Sequence, residues 1–138
     1  MNTTSRPTAV DPADLHRTLA QRFNAGDLEG LLALYEHEAT LVREPGVPVS
    51  GAKDLRAALA GFLSLSPKQT FVATLGVETA GDLALTRSHW GFHGTNPSDG
   101  SSVDIEHFGL EVMRRQPDGS WRFLIDDPFG GDAAAARK

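Results

Sequence analysis

The sequence of 138 residues contains no cysteine, only one tyrosine and two tryptophans, and fewer basic than acidic residues. Without cysteine the chain has no disulfide, no thiolate metal ligand and no cysteine nucleophile, which fits a reducing compartment. The formal net charge of -5 argues against nucleic-acid binding, because phosphate backbones are bound by basic surfaces. We therefore expect no nucleic-acid partner.

Long hydrophobic runs are also missing. No apolar run approaches the length of a membrane span, and the opening MNTTSRPTAV lacks the apolar core of a secretory signal. We therefore expect a soluble, cytoplasmic protein without a membrane partner. The composition is that of a globular chain, and its length suits one domain. We assign this domain to residues 9–130, with a flexible N-terminus at 1–8 and a flexible C-terminal tail at 131–138.

Three helices are predicted in the first half of the chain. Asp11 is a suitable N-cap for the first helix, and Gly26 ends it. A second helix follows directly, with Tyr35 on its buried side, and a third is predicted by apolar spacing in GAKDLRAALAGFLSL. Between these two helices, ATLVRE is predicted to form a strand, and a loop rich in proline and glycine follows it.

Strand patterns dominate from Gln69 onward. Alternating apolar residues and intervening turn signals predict four strands, in TFVATLGVETA, LALTRSHWGFHGT, SVDIEHFGLEVMRRQ and SWRFLIDD. Helices followed by an antiparallel meander indicate the α+β class, in which the helices cover one face of a curved sheet.

The third of these strands carries a glutamate whose environment depends on the pairing register. Alternation sets Glu106 on the same face as Phe108 and Leu110. If that face is the core face, Glu106 points inward, where burial favours its neutral form. A hairpin centred near Ser98 would bring Trp90 opposite Glu106, whereas a slip by one residue would exchange the two faces.

The opposite face of the same strand is also apolar. It carries Val103, Ile105 and Met113, which are too apolar to face water comfortably. We therefore expect a homodimer that forms through this outer face.

Several segments resemble one protein family. FNAGDLEGLLALYEHEATLVREPGVPVSGAKDLRAAL and DIEHFGLEV are similar to segments of the SnoaL-like and ketosteroid isomerase-like branch of the nuclear transport factor 2-like superfamily. RRQPDGSWRFLIDDPF is typical of SnoaL-like relatives of unknown function. The resemblance implies a cystatin-like cone, in which a curved antiparallel sheet wraps around N-terminal helices and encloses an apolar cavity. It leaves the reaction open, because the superfamily includes isomerases, cyclases, dehydratases and epoxide hydrolases.

The resemblance also implies candidate catalytic residues. Glu44 matches the position of the isomerase general base, and Glu106 matches that of its protonated acid. In that chemistry an ionised carboxylate moves a proton next to a carbonyl while a neutral acid supports the oxyanion. Leu19 stands where the isomerases have a tyrosine. The residues expected to line the pocket are Leu19, Phe23, Phe62, Trp90, Phe108 and Asp126.

Three functions are compatible with these sequence features. The first is a cofactor-independent isomerase or lyase that acts on a small apolar carbonyl compound through Glu44 and Glu106. The second is a module that binds a small apolar ligand without changing it, and the third is a dimeric interaction domain. For Glu44 the alternative is a solvent-facing strand end that pairs with Arg43 or Arg56.

Metal and cofactor sites are not indicated by the sequence. His89 and His93 share a strand face but lie about 13 Å apart, which is too far for one metal ion. The sequence contains neither a nucleophile elbow, a phosphate-binding loop nor a dinucleotide fingerprint. We therefore expect neither a metal nor a cofactor.

Overall fold

The structure, a computed structural model, describes residues 9–136, so the predicted flexible segment 1–8 lies outside the described residues. The first half of the chain forms α1 (Pro12–Ala25), α2 (Leu28–Leu32), β1 (Tyr35–Glu44), β2 (Val47–Ser50) and α3 (Ala52–Leu63). The second half forms β3 (Lys68–Ala80), β4 (Leu83–Thr95), β5 (Ser102–Arg115), β6 (Trp121–Asp127) and α4 (Asp132–Ala136).

The ends of α1 follow from its sequence. The Asp11 carboxylate accepts a hydrogen bond from the backbone N–H of Asp14 at 2.9 Å, which satisfies one of the free donors at a helix start. Gly26 ends the helix in the left-handed conformation, with φ 67°, which glycine adopts without a steric penalty.

The second helix is shorter than predicted. It ends at Leu32, and Tyr35 is the first residue of β1 rather than part of a helix. At this point the Leu34 carbonyl accepts a hydrogen bond from the N–H of Phe123 at 2.8 Å, and Tyr35 pairs with Phe123. This long-range pairing between β1 and β6 prevails over the local helix propensity.

The six strands form one sheet in the order β2-β1-β6-β5-β4-β3. The predicted α+β class, with N-terminal helices and a sheet, is confirmed. One pair differs from the prediction, because β1 and β6 run parallel while the other neighbours are antiparallel. The loop predicted after β1 contains the short strand β2.

The hairpin of β4 and β5 has a register one residue away from the predicted one. Trp90 pairs with His107, and Gly91 pairs with Glu106. The slip exchanges the faces, because side chains alternate along a strand. Met113 is therefore completely buried under the helices, and the prediction that it lies on the exposed outer face is wrong.

The hydrophobic core lies between the helices and this inner sheet face. Its largest completely buried apolar side chains are Leu15, Leu31, Leu41, Leu59, Met113 and Phe123. Burial of each such side chain contributes about 1.5–3 kcal/mol. Helices and sheet are therefore held together by contacts between residues that are distant in sequence.

A bulge in β6 decides which of its residues enter the interior. Val112 pairs with Ile125 and the next residue, Met113, pairs with Phe123, so Leu124 has no partner across β5. The extra residue shifts the alternation. Asp126 is consequently buried on the side of Phe123, rather than sharing a side with Leu124 as strict alternation would require.

The chain continues past β6 and packs on β5. The Asp132 carboxylate accepts a hydrogen bond from the backbone N–H of Phe108 and lies 2.8 Å from Nδ1 of His107. Residues 132–136, which were predicted to belong to a flexible tail, form α4, and residues 137–138 lie outside the described residues. Within the described range no helix is long and apolar enough to cross a membrane.

Candidate functional site

A cavity lies between the inner face of the sheet, α1 and α3. Its volume is about 50 Å³, taken over the positions that the centre of a water molecule can occupy. One water needs about 10–15 Å³ of such volume, so the cavity has room for a few waters or one small ligand. The apolar walls are formed by Leu19, Phe23, Leu41, Leu59, Phe62, Val72, Trp90, Phe92 and Pro128, and the polar residues are Tyr35, Thr70, Ser88, Glu111 and Asp126.

Most of the residues predicted to line a pocket are in these walls. They are Leu19, Phe23, Phe62, Trp90 and Asp126. Phe108 is not among them: it lies on the outer sheet face, where its ring stacks on His89 with centroids 4.7 Å apart. The one-residue change of register explains this difference.

Neither predicted catalytic glutamate is in the cavity. The Glu44 side chain is 60% exposed and lies 3.2 Å from the Arg43 guanidinium, as in the alternative reading of that residue. The Glu106 side chain is 64% exposed on the outer face and contacts His89. The expectation that the two carboxyls meet in one buried cavity is therefore wrong, and neither is positioned to act on a molecule bound there.

Two other carboxyls occupy the interior. Glu111 and Asp126 are directly opposite each other on β5 and β6, and they are only 4% and 6% exposed. Side chains that are directly opposite in an antiparallel pair have Cβ atoms about 5 Å apart. The structure thus brings two acidic groups together in the cavity wall.

Glu111 is fully supplied with hydrogen-bond partners. Its carboxylate accepts from the hydroxyls of Thr86 and Ser88, each at 2.7 Å, and from Nε2 of His16 at 3.0 Å. Gly109 leaves room for this arrangement, because a Cβ at its position would lie 2.5 Å from the Ser88 hydroxyl. Three donors hold Glu111 in place, as a buried carboxylate requires.

His16 links the first helix to this network. It is 1% exposed, and its other ring nitrogen, Nδ1, lies 2.6 Å from the Thr74 hydroxyl. The imidazole therefore bridges β3 and β5 through polar contacts beneath α1.

Asp126 has a different environment. Among the described side chains its one hydrogen-bond donor is the hydroxyl of Tyr35, at 2.6 Å. Burial, and then the negative charge of Glu111, raise the pKa of Asp126 to about 7, although the Tyr35 hydrogen bond acts in the opposite direction. Burial and the neighbouring Asp126 also raise the pKa of Tyr35, so its hydroxyl keeps its proton. Asp126 can consequently gain and lose a proton near neutral pH.

Tyr35, Glu111 and His16 belong to the site but were not predicted from the sequence. His16 follows Leu15 and lies one turn before Ala20, and both of those residues are buried on α1. Glu111 lies on the strand face of Gly109 and Met113, which the alternative register turns inward. For Tyr35 the local sequence carries no signal, because its position depends on the pairing of β1 with β6.

The described residues do not include three histidine or acidic side chains grouped so that they could hold a metal ion. The titratable groups of the site pair with one another instead.

Comparison with known proteins identifies the family. The sequence profile of the SnoaL-like domain matches residues 16–124. A search of curated protein sequences gives no match. Among solved structures, a ketosteroid isomerase-like protein from Erwinia carotovora atroseptica is similar with a TM-score of 0.64 and 23% identity, over 80% of this chain and 85% of that one.

Two further structures share the fold. A proposed dehydratase of the nuclear transport factor 2-like family from Streptomyces avermitilis has a TM-score of 0.65 and 20% identity, over 80% of this chain and 86% of that one. A protein with a cystatin-like fold from Nostoc punctiforme has a TM-score of 0.63 and 16% identity, over 83% and 84% of the two chains. The fold is thus that of the nuclear transport factor 2-like, cystatin-like proteins, and the chain belongs to the SnoaL-like domain family.

Proposed function

We propose that the protein is a cofactor-independent acid–base catalyst that moves a proton on a small apolar carbonyl compound. The observation that carries the proposal is Asp126, a buried carboxyl with a pKa of about 7 in the wall of a largely apolar cavity. General acid–base catalysis is most efficient when the pKa of the catalytic group is close to the working pH.

The proposed chemistry begins with ionised Asp126. Its carboxylate takes a proton from a carbon next to the carbonyl, and the electron pair of the broken C–H bond passes to the carbonyl oxygen as an enolate. Return of the proton to another carbon completes an isomerisation, and loss of a hydroxyl group from the β carbon, as water, completes a dehydration. The negative charge of Glu111 favours the protonated form of Asp126 and so makes it a stronger base than a solvated carboxylate.

The names of similar structures agree with this reaction type. The Erwinia protein is called ketosteroid isomerase-like, and the Streptomyces protein is a proposed dehydratase. Both kinds of reaction can start with removal of a proton beside a carbonyl. The small cavity favours a substrate smaller than a steroid.

A proton-exchange assay tests the proposal without knowledge of the natural substrate. The protein is incubated with small ketones in deuterated water, and loss of the α-proton signal is followed by NMR. We expect exchange above the buffer rate, and a fall of about 10²-fold or more in Asp126→Asn. Glu106→Gln serves as the matched control, because that carboxyl is on the exposed outer face. Equal exchange by the wild type and Asp126→Asn would refute the role of Asp126.

One observation favours a second function, the binding of a ligand that stays unchanged. Tyr35 and Ser88 both line the cavity, but their hydroxyls donate to carboxylates and so are not free to stabilise an enolate. A pure binding module would be stabilised against heat by an apolar ligand, and that ligand would be recovered unaltered and without deuterium.

We propose in addition that the outer sheet face pairs with a second copy of the chain. Phe71, Leu85 and Ile125 are each about 40% exposed there, and the register sets half-buried Phe108 and Val112 among them. Next to this patch lies the ion pair of Arg87 and Glu78, so a second copy of the chain would present a negative and a positive side chain in turn. Such a face complements itself, as a two-fold interface requires.

Sedimentation at micromolar concentration tests the dimer. We expect a dimer for the wild type and a monomer for Leu85→Lys, since a buried lysine pair at the interface is costly. Val10→Lys alters an exposed apolar residue outside the sheet and should leave the dimer intact. A monomeric wild type would contradict the proposal.

A further inference from the structure

Thr70 has a buried hydroxyl that has no hydrogen-bond partner among residues 9–136. The residue is 9% exposed and lines the cavity. Among the buried side-chain polar atoms of the described residues, its Oγ1 alone makes no hydrogen bond. An unpaired buried hydroxyl is destabilising, and a native protein usually provides a partner for it. A ligand in the cavity would supply that partner.

The backbone around Thr70 is fixed by specific contacts. The Asn24 side chain accepts a hydrogen bond from the N–H of Thr70 at 2.7 Å and donates one to its carbonyl at 3.1 Å. Just before it, Gln69 adopts φ 55° and Ser66 adopts φ 51°, which residues other than glycine rarely do. Strain of this kind is concentrated at functional sites. The backbone of Thr70 is thus held in one position at a local cost.

Thr70 and Asp126 both line the cavity, and contacts with α1 place them at different levels along this helix. On α1, His16 contacts Glu111, the neighbour of Asp126, whereas Asn24 holds Thr70. Eight residues of helix separate these two anchors, which corresponds to about 12 Å along the axis. Most of the residues that line the cavity are apolar.

We propose that the Thr70 hydroxyl binds an oxygen atom of the ligand, at the end remote from the carbon that reacts. The ligand class is then an elongated apolar carbonyl compound that carries a second oxygen near its far end. A threonine hydroxyl both donates and accepts, so a hydroxyl or a carbonyl of the ligand satisfies it. The orientation of the ligand rests on the proposed function of Asp126, while the contact with Thr70 rests on the cavity alone.

The experiment compares two ligands and two variants. The ligands are methyl pentyl ketone and its analogue with a hydroxyl on the terminal carbon, and dissociation constants are measured by ligand-observed NMR. We expect the wild type to bind the hydroxylated ketone about tenfold more tightly. Thr70→Val, which keeps the shape, should bind both ketones alike, and Thr70→Ser should keep the preference. The melting temperature of Thr70→Val should equal or exceed that of the wild type, which excludes misfolding as the cause.

Equal binding of the two ketones by the wild type, or an unchanged preference in Thr70→Val, would overturn the assignment. Binding of neither ketone at millimolar concentration would overturn it as well. Measurement of α-proton exchange in Asp126→Asn, together with ligand binding by the Thr70 variants, separates the two proposals. If Asp126→Asn still exchanges α-protons while Thr70→Val loses the preference for the hydroxylated ketone, the catalytic proposal fails and the Thr70 contact stands. If Asp126→Asn loses exchange and Thr70→Val keeps the preference of the wild type for the hydroxylated ketone, only the proposed Thr70 contact fails.

Discussion

Replacement of Asp126 by asparagine should change how the stability of the protein depends on pH. The pKa of this carboxyl is about 7 in the folded protein, against an ordinary value near 3.9 in the unfolded chain. Between these two values the folded state holds a proton that the unfolded state has released, so the free energy of unfolding falls as pH rises. The contribution of protonated Asp126 to the free energy of unfolding is fully present below the unfolded pKa and is lost as pH rises through about 7.

The magnitude follows from the two pKa values. Each pH unit in this interval lowers the free energy of unfolding by about 1.4 kcal/mol. About three units separate the folded and unfolded pKa values, so the full loss is about 4 kcal/mol. Asparagine has no charge at any of these pH values and keeps an oxygen for the Tyr35 hydroxyl. The stability of Asp126→Asn relative to the wild type should therefore rise by about 4 kcal/mol between about pH 4 and pH 8.

Urea unfolding at several pH values measures this difference. Ionisable groups distant from Asp126 are common to both proteins and cancel in the comparison. Asp54→Asn serves as the control, because its carboxyl is exposed and changes its surroundings little on unfolding. A difference between wild type and Asp126→Asn that stays constant across this pH range would refute the reasoning.

Two substitutions around Asp126 should alter this behaviour in opposite directions. Tyr35→Phe removes the hydrogen bond that lowers the pKa of Asp126, so the rate of α-proton exchange should reach its half-maximum at higher pH. The free energy of unfolding of this variant should be about 1–2 kcal/mol lower than that of the wild type at alkaline pH. Glu111→Gln removes the neighbouring negative charge, so the pKa of Asp126 should move toward its ordinary value and the pH-dependent loss of stability should shrink. Titration of unfolding free energies and of exchange rates measures both effects, and a shift of either in the other direction would contradict the assigned electrostatics.

Local signals in the sequence were sufficient for much of the fold. The cap at Asp11 and the glycine at Gly26 define α1 because both act within a few residues. Turn residues and alternation likewise give β4 its observed bounds. The fold class follows from the order of these elements.

The composition of the site depended on details that alternation alone does not fix. The turn between β4 and β5 permits two registers, and the observed one moves Glu106 outward and Glu111 inward. The bulge at Leu124 turns Asp126 into the interior together with Phe123. Tyr35 reaches the site only through the pairing of β1 with β6. Each of these depends on contacts between distant residues, so the sequence analysis correctly predicted Asp126 in the cavity, whereas Glu44 and Glu106 are exposed.

Direct titration of the Asp126 carboxyl by carbon NMR tests the central claim most closely. The side-chain carboxyl carbon is assigned by its absence in Asp126→Asn, and its chemical shift is followed with pH. A midpoint at about 7 is the predicted result. A midpoint near 4, the value of a solvated aspartate, would contradict the claim that this buried carboxyl exchanges its proton near neutral pH.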